Sequence, residues 1–455
     1  MLRNDLLLIK SKLLKLLAWL TCIEYFLFAA LALFLQVNTV SAFTLDDLIR
    51  QALTSYPSVL AKQSTRDAAA TDLNAAKLKF LPSPSFNTQR NQVAYDGKSG
   101  SNLPSTTASI SQPLFLDGGI IAGYNKADAR LSAADFSLLE TREDISKRII
   151  GAYTDWLKAY LKIQAYEENV KLHERFAGMI TRRYEQGVAS GSDRDLGISR
   201  LMQARADLDT QKSVEETALT SLSELVGEPL KRVDLINNTA KPLKIPARQL
   251  GILQAQAQSV TVQRYKYEAD AAEQEAKEIR AQALPQVSFQ LQRQVGSAVL
   301  PGYPSYNMAG FVLNYVPGGG FSSAVAASAA FERARSAMIQ VETAKRELTD
   351  RLNADYNEYE FSLLRKESLQ RSVELSGDIS ASYDRQYLVG RKSWLDLMNS
   401  VREQAQTRVQ YADAEGSLLG SSRRLMIYIE GTKPYDSPAD PTPAKEVAIN
   451  KKPKQ

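Results

Sequence analysis

The amino-acid sequence predicts an α+β membrane protein in which one plan, two strands followed by a long helix and a return helix, occurs twice. Short motifs recur at a constant spacing, and strand-length segments of alternating polarity precede long stretches without proline. The recurring pairs, each 203 positions apart, are Leu81-Pro82 and Leu284-Pro285, Arg182 and Arg385, Tyr184 and Tyr387, Gly187 and Gly390, and Asp193 and Asp396. Several matches in one order at one spacing indicate an internal duplication.

The duplication divides the chain into a leader, two repeats and a tail. We expect a signal peptide over 1–42, repeats over 43–231 and 232–432, and a disordered tail over 433–455. The strands are expected at about 84–95, 106–116, 285–296 and 306–316. The long helices are expected at about 120–186 and 321–388, and the return helices at about 193–226 and 394–430.

The leader has the features of a secretory signal. Lysines precede an apolar run from Leu16 to Leu35, and Val40-Ser41-Ala42 provides small residues for cleavage. The run is long enough to span a bilayer, so an uncleaved inner-membrane anchor is the alternative. Cys22, the only cysteine, lies inside this run, so cleavage would leave a chain without disulfides or thiolate metal ligands.

The predicted strands are amphipathic. In the second repeat, apolar Val287, Phe289, Leu291 and Val295 alternate with Gln286, Ser288, Gln290, Gln292 and Gln294. Each strand is about 10 residues long, which is what a tilted transmembrane strand needs. Alternation alone also fits a soluble antiparallel hairpin packed on helices, so both interpretations stay open at this point.

The long helices carry apolar residues at steps of three or four, as in a coiled coil. These positions are Ile145, Ile149, Ala152, Trp156, Tyr160, Ile163 and Tyr166 in the first repeat, and Leu348, Leu352, Tyr356, Tyr359 and Leu363 in the second. A single helical hairpin cannot bury a compact core, so neighbouring helices must cover these seams. The sole histidine, His173, is expected at an exposed helix position.

Composition and motifs argue against an enzyme or a nucleic-acid binder. The net charge is only +5 with 24% charged residues, which is too balanced for phosphate neutralisation. No HExxH or Cys-His metal set occurs, and Gly318-Gly319-Gly320 lacks the Lys-Ser/Thr of a phosphate loop. We therefore expect no catalytic residue, no metal and no cofactor, so the energy for any transport must come from a partner.

Two local motifs resemble a known family. Ser111-Gln112-Pro113-Leu114-Phe115-Leu116-Asp117-Gly118-Gly119 is similar to the strand-to-helix junction of the TolC-type outer-membrane efflux proteins, and the second copy keeps Gly319 and Gly320. The turns Arg183-Tyr184-Glu185-Gln186-Gly187 and Gln386-Tyr387-Leu388-Val389-Gly390 resemble the family's helix turns. The resemblance covers about residues 43 to 432.

This resemblance implies a homotrimer whose strands form a 12-stranded outer-membrane β-barrel, continued by a periplasmic α-helical coiled-coil barrel. It implies a passive duct of a tripartite export or type I secretion system. The implied partners are outer-membrane lipid, a periplasmic adaptor and an inner-membrane pump of ABC or RND type. The main alternative is a periplasmic coiled-coil adaptor or scaffold anchored by residues 16 to 35, and a hydrolase is a distant third.

The resemblance also implies a gate of polar links at the helix turns. Asp193 matches the acceptor, Tyr387 and Lys392 match the donors, and Asp396 matches an acidic ring at the entrance. The second acidic position of the ring is Asn399 here, which halves the ring's charge. Capping is the alternative role, because Ser190 and Ser393 each stand three residues before an aspartate. Gly187 and Gly390 are expected to end the long helices with positive φ.

Overall fold

A computed structural model describes residues 43–91, 94–95, 98–99, 103–114, 118–236, 239–296, 305–316 and 322–435. The predicted leader and the tail beyond residue 435 lie outside these residues, as do Asp117, Gly319 and Gly320. The first three residues of the predicted tail are ordered, which corrects that expectation. Lys433–Tyr435 forms a 3-10 turn, and Tyr435 is buried.

Most of the chain is helical. The helices are α1 Leu45–Ser55, α2 Pro57–Leu78, α3 Gly119–Glu185, α4 Gly191–Val226, α5 Arg232–Ile236, α6 Arg248–Gln258, α7 Val260–Gln282, α8 Ser322–Leu388 and α9 Trp394–Glu430. The long helices α3 and α8 have 67 residues each, about 100 Å at 1.5 Å per residue. No proline interrupts either helix, and Gly227 ends α4 in the left-handed conformation.

Two parts of the chain form separate units. In the smaller one, residues 231–239 contain α5, and the Phe43 N–H donates to the Asp234 carbonyl at 3.1 Å. The Lys231 N–H donates to the Asp234 carboxylate at 2.9 Å. All other described helices and all the strands belong to the larger unit.

The larger unit contains one four-stranded antiparallel sheet. Its strands are β1 Ser83–Asn91, β4 Leu103–Pro113, β5 Gln286–Val295 and β6 Ser305–Asn314, in the order β1-β4-β5-β6. The short strands β2 Ala94–Tyr95 and β3 Lys98–Ser99 pair separately. β4 begins three residues before the predicted start, because its pairing with β1 extends to Leu103 opposite Asn91. The two repeats thus contribute two strands each to one sheet, with β1 and β6 at its edges.

The register separates an apolar face from a polar face. Residues that are opposite each other in antiparallel strands share a face, so Phe289 lies beside Phe311, and Leu291 lies beside Ile110 and Ala309. This apolar face is open to the surroundings: Phe86 is 75% exposed and Phe311 is 74% exposed. A soluble hairpin packed on helices would bury these side chains. That alternative does not fit the exposed face.

The long helix α3 changes neighbours along its length. Its first half packs against α2 and α7, where Asp135 pairs with Arg66 at 2.8 Å and Glu140 pairs with Arg264. Its second half packs against α4 and α9. Lys162 of this half pairs with Asp413 of α9 at 2.7 Å. These ion pairs are partly exposed, so they identify neighbours more than they stabilise the fold.

The predicted apolar seams are mostly buried. Ile149, Trp156 and Ile163 of α3 are inaccessible to solvent. In α8, Leu352 and Tyr356 pack with α6, α7 and α9, whereas Leu363 is exposed. The seam therefore alternates between covered and open stretches within one chain.

In the residues that the structure describes, no helix is long and apolar enough to span a membrane.

His173 is buried, so the prediction of an exposed position was wrong. It is 4% exposed because α4 covers the face of α3 that carries it, with Arg200 of α4 nearby. Burial, followed by the charge of Arg200, lowers the pKa of His173. The imidazole is therefore neutral near pH 7, which suits a site packed between helices.

Glu143 is a buried carboxylate on α3, near the end of α9. Lys147 Nζ lies 3.9 Å from the carboxylate and 4.3 Å from the ring centroid of Tyr428. Burial raises the pKa of Glu143 to about 7, against a smaller opposing effect of Lys147. The folded chain therefore binds this proton more tightly than the unfolded chain does.

This site predicts that stability falls as pH rises from about 4.5 to about 7, because folding favours the protonated carboxyl over that interval. Glu143→Gln should remove this dependence and raise the apparent melting temperature at pH 8. Circular dichroism of the detergent-solubilised protein between pH 5 and pH 8 measures the effect. Glu216→Gln, at an exposed position of α4, controls for the loss of one carboxylate. If the melting temperatures of the wild type and Glu143→Gln changed with pH in the same way, the raised pKa of Glu143 would be contradicted.

Candidate functional site

The turns at which the two helical hairpins end lie at one end of α3 and α8, and the sheet joins these helices at the other end. In the first turn Gly187 has φ of 73°, and in the second Gly390 has φ of 74°. The N–H of each residue after the glycine donates across the turn to the long helix, Val188 to Arg183 and Arg391 to Gln386, both at 2.8 Å. Glycine is suited to both positions, because side chains disfavour positive φ.

Each return helix then begins with a serine cap. The Asp193 N–H donates to Ser190 Oγ at 3.1 Å, and the Asp396 N–H donates to Ser393 Oγ at the same distance. In the second turn the Ser393 N–H also donates to the Asp396 carboxylate at 3.3 Å, completing a capping box. The Ser393 side chain and then its backbone N–H, both hydrogen-bonding to the carboxylate, lower the pKa of Asp396, so the carboxylate is ionised at neutral pH. Asp396 therefore completes the capping box that its spacing predicts, whereas at Asp193 the structure shows only the serine half of the box.

An apolar cluster joins the two hairpins just inside the turns. This tip cluster consists of Phe176, Ile180, Trp394, Leu397, Met398 and Val401. Trp394 is 4% exposed, its ring centroid lies 5.3 Å from that of Tyr387, and it meets Phe176 edge-on at 6.4 Å. Aromatic pairs in this range add to the stabilisation from burial. The cluster therefore holds the α3–α4 and α8–α9 hairpins together within one chain.

The predicted gate donors take part in contacts with aromatic rings and cations. The Arg183 guanidinium lies 5.1 Å from the ring centroid of Tyr387, and Lys392 Nζ lies 4.4 Å from that of Tyr383. Burial raises the pKa of the Tyr387 phenol, the charge of Arg183 opposes this shift, and Asp193 adds to it. The phenol therefore stays protonated and able to donate a hydrogen bond.

The structure brings Asp193 near Tyr387 without joining them. Among the described residues, no hydrogen bond links the two side chains, and Ser190 Oγ donates to the Asp193 carboxylate at 2.8 Å. Lys392 lies on the same turn as Asp396, and its charge contributes to the lowered pKa of that carboxyl. The polar gate links and the acidic ring stay predictions.

Gly197 allows the closest packing in the tip. A Cβ at this position would lie 2.9 Å from Ile180 Cγ2 and 3.1 Å from Trp394 Cζ2. No side chain other than hydrogen fits between α4, α3 and Trp394 without movement. The tip therefore depends on three residues that the motif comparison did not single out for this role: Trp394, Gly197 and Arg183. Trp394 follows the cap serine at the position where the first repeat has Gly191, an asymmetry visible in the sequence.

The strand-to-helix junction is partly described. Pro113 ends β4, Gly118 has φ of 73°, and Gly119 begins α3. The Ala122 N–H donates to the Gly118 carbonyl at 3.0 Å, which starts the helical hydrogen bonding. Gly118 therefore precedes the long helix in a left-handed conformation that glycine adopts readily.

The tip is built from helix caps and packing contacts. Its parts are two caps, an apolar cluster and cations over aromatic rings, and no group of three or more potential metal ligands occurs in the described part of the chain. The arrangement holds the two hairpins together within the chain.

Comparison with known proteins gives related proteins over most of the chain. The sequence model of the family described as "Outer membrane efflux protein" matches residues 48–228. The alkaline protease secretion protein AprF of Pseudomonas aeruginosa is 22% identical over 333 residues, which cover 71% of this chain and 69% of AprF.

Solved outer-membrane proteins share the fold. VceC of Vibrio cholerae has a TM-score of 0.68 at 16% identity, with 85% of this chain and 96% of VceC covered. The MtrE channel of Neisseria gonorrhoeae, solved in an open state, has a TM-score of 0.65 at 15% identity, with 85% and 89% covered. The chain is therefore similar to outer membrane efflux proteins over residues 48–228 in sequence, and over most of its length in fold.

Proposed function

We propose that this chain is one subunit of a homotrimeric export duct, a passive conduit that is gated at the helix tips. The observation that carries the proposal is the exposed apolar face of an open four-stranded sheet, with Phe86 and Phe311 about three-quarters exposed. In a bilayer this face would meet lipid. The helices, about 100 Å long, would extend into the periplasm from the same sheet.

The strand edges support a closed ring of three chains. Edge strands β1 and β6 have unpaired backbone groups along one side, which lipid does not tolerate. Because the sheet has an even number of antiparallel strands, β6 of one copy would run antiparallel to β1 of the next. Three copies would make a barrel of twelve strands, wide enough to enclose water.

The tip supports a gate. The tip cluster joins the hairpins within a chain, and Asp193 lies near a protonated Tyr387 that has no hydrogen bond to it in the single chain. In the trimer we propose that Tyr387 and Lys392 donate to Asp193 when the entrance is closed, and that Asp396 contributes an acidic ring. Lysine carries a point charge instead of a planar fork, so this link would be weakly oriented.

A passive duct needs a source of energy and a route across the periplasm. We propose a periplasmic adaptor and an inner-membrane pump of ABC or RND type as partners. AprF is named for the secretion of a protease, and MtrE was solved as an open channel, which supports both export and a tip that opens.

The trimer predicts a form that resists detergent. Protein extracted from outer-membrane fractions should run on an unheated gel at three times the mass of the heated chain, because closed barrels retain their hydrogen bonds in detergent. The leader should be absent from the mature protein by mass spectrometry. A monomer in the inner membrane with the leader intact would instead support the anchored periplasmic adaptor.

The proposed gate predicts that removing either side of the link between Tyr387 and Asp193 opens the entrance. Tyr387→Phe and Asp193→Asn should each raise the single-channel conductance in planar bilayers several-fold, because each removes one side of the proposed link. Tyr184→Phe is the matched control, since Tyr184 occupies the equivalent position in the first repeat. Conductance that stays at the wild-type value in both test variants would reject the polar link.

The packing at Gly197 predicts a second way to loosen the tip. Gly197→Ala should cost about 1–3 kcal/mol of local stability, because the added methyl overpacks the contact with Ile180 and Trp394. Hydrogen exchange of residues 187–200 should then become faster, and conductance should rise. Gly191→Ala is the control, since its Cβ would lie at an ordinary 3.6 Å from Tyr184. Equal exchange in the two variants would show that close packing at Gly197 does not hold the tip.

A further inference from the structure

The apolar face of the four-stranded sheet carries two arginines at one end. Arg90 is one residue from the end of β1, and Arg293 is two residues from the end of β5. By register Arg293 is opposite Ala108 and Asn307, and Arg90 is opposite Pro104, so both share the face of the exposed phenylalanines. No other Arg, Lys, Asp or Glu occurs in the four strands β1, β4, β5 and β6. The charge of these strands is therefore positive and confined to one end of one face.

This end of the sheet is the one far from the helices. The helix α2 leads into β1 and α7 leads into β5, so both strands run away from the helices towards their arginines. In the proposed duct the helices extend into the periplasm, which would place the arginines at the outer surface of the bilayer. An arginine that faces lipid is costly at the bilayer midplane and tolerated near the interface, which suits this position.

The surroundings of the two arginines provide hydrogen-bonding groups and no counter-charge. Between them lies a pair of hydroxyls, since Thr88 Oγ1 and Thr106 Oγ1 are 3.2 Å apart, and Asn307 adds a carboxamide beside Arg293. Arg90 and Arg293 are both exposed. Because the four strands contain no carboxylate, the sheet itself cannot neutralise either guanidinium. The chemical complement of this surface is an external anion.

An apolar groove adjoins Arg293 on the same face. Its volume is about 580 Å³. Besides Arg293, its lining includes Asn307 and the apolar side chains of Ala108, Ile110, Leu291 and Ala309. The two alanines leave space that larger side chains would fill. A ligand that fits both parts has an anionic group for the arginine and an apolar chain for the groove.

We propose that Arg293, Asn307 and this groove bind a phosphorylated lipid of the outer leaflet, with a phosphate at Arg293 and an acyl chain in the groove. Arg90 would contact a second phosphate nearer the outer surface. The inference rests on the proposed function and adds a lipid partner. Arginine suits the role because its planar guanidinium donates two parallel hydrogen bonds to phosphate oxygens, and basic groups at a membrane surface attract anionic headgroups.

The test measures lipid binding to the full-length trimer in detergent by native mass spectrometry, with lipid A as the phosphorylated probe and dephosphorylated lipid A as its comparison. The wild type should bind lipid A about tenfold more tightly than the dephosphorylated form. Arg293→Gln should remove this preference. Arg293→Lys should keep part of it, because lysine retains the charge without the planar fork.

Two further arms separate a lipid site from a site for a bare anion. Ala309→Phe should fill the groove and weaken the binding of both lipids, while leaving the preference for phosphate. Inorganic phosphate in large molar excess should leave lipid A bound, because it cannot occupy the groove. Full displacement by inorganic phosphate, or unchanged binding in Ala309→Phe, would overturn the assignment to a lipid.

The matched control is the double variant Gln292→Arg with Arg293→Gln, which keeps the net charge and moves the guanidinium to the opposite face. Its affinity for lipid A should equal that of Arg293→Gln. Wild-type affinity in this variant would show that overall charge attracts the lipid, and would overturn the site, as would equal affinity of the wild type for the two lipids. A wild-type protein that forms no trimer would instead contradict the proposed function.

Discussion

The structure depends on one constraint, which is that a four-stranded sheet with an exposed apolar face and two unpaired edges is incomplete in one chain. Unpaired backbone groups are costly in lipid, and an apolar face is costly in water. The two costs are removed together only when the edges pair with other strands and the face meets lipid. In the proposed trimer the duplication serves this requirement, because each repeat contributes one antiparallel strand pair and copies would join edge to edge with antiparallel strands.

The long helices place the two hairpin turns far from the sheet. The sheet joins α3 and α8 at one end, and the turns with Gly187 and Gly390 lie at the other, about 100 Å away. At that end the two repeats differ in the residues that cap and pack the turns. Each return helix has a serine cap, but only the second has a full capping box. Trp394 of the second repeat stands where the first repeat has Gly191, and it packs against Gly197 of the first return helix. The tip is therefore held by an asymmetric contact within a symmetric plan.

The features that depend on local periodicity could be predicted from the sequence. The faces of β5 followed from alternation, the long helices from proline-free stretches, and the caps from Ser190 and Ser393. The resemblance to outer-membrane efflux proteins is supported by the family model over residues 48–228, and the fold by the solved structures. The features that were missed depend on contacts between segments far apart in sequence. His173 is buried because α4 covers it, and the importance of Gly197 and Trp394 emerges only when α4, α3 and α9 meet.

The central claim is that β1 of one chain pairs with β6 of another. It can be tested by placing one cysteine at successive positions of β1 and one at a fixed position of β6, in a Cys22→Ser background. After oxidation in outer membranes, some β1 positions should give covalent dimers and trimers on a non-reducing denaturing gel. The cross-linking yield should peak at every second residue, because alternate side chains share a face. Cross-links only within single chains, at every position tried, would contradict the shared barrel.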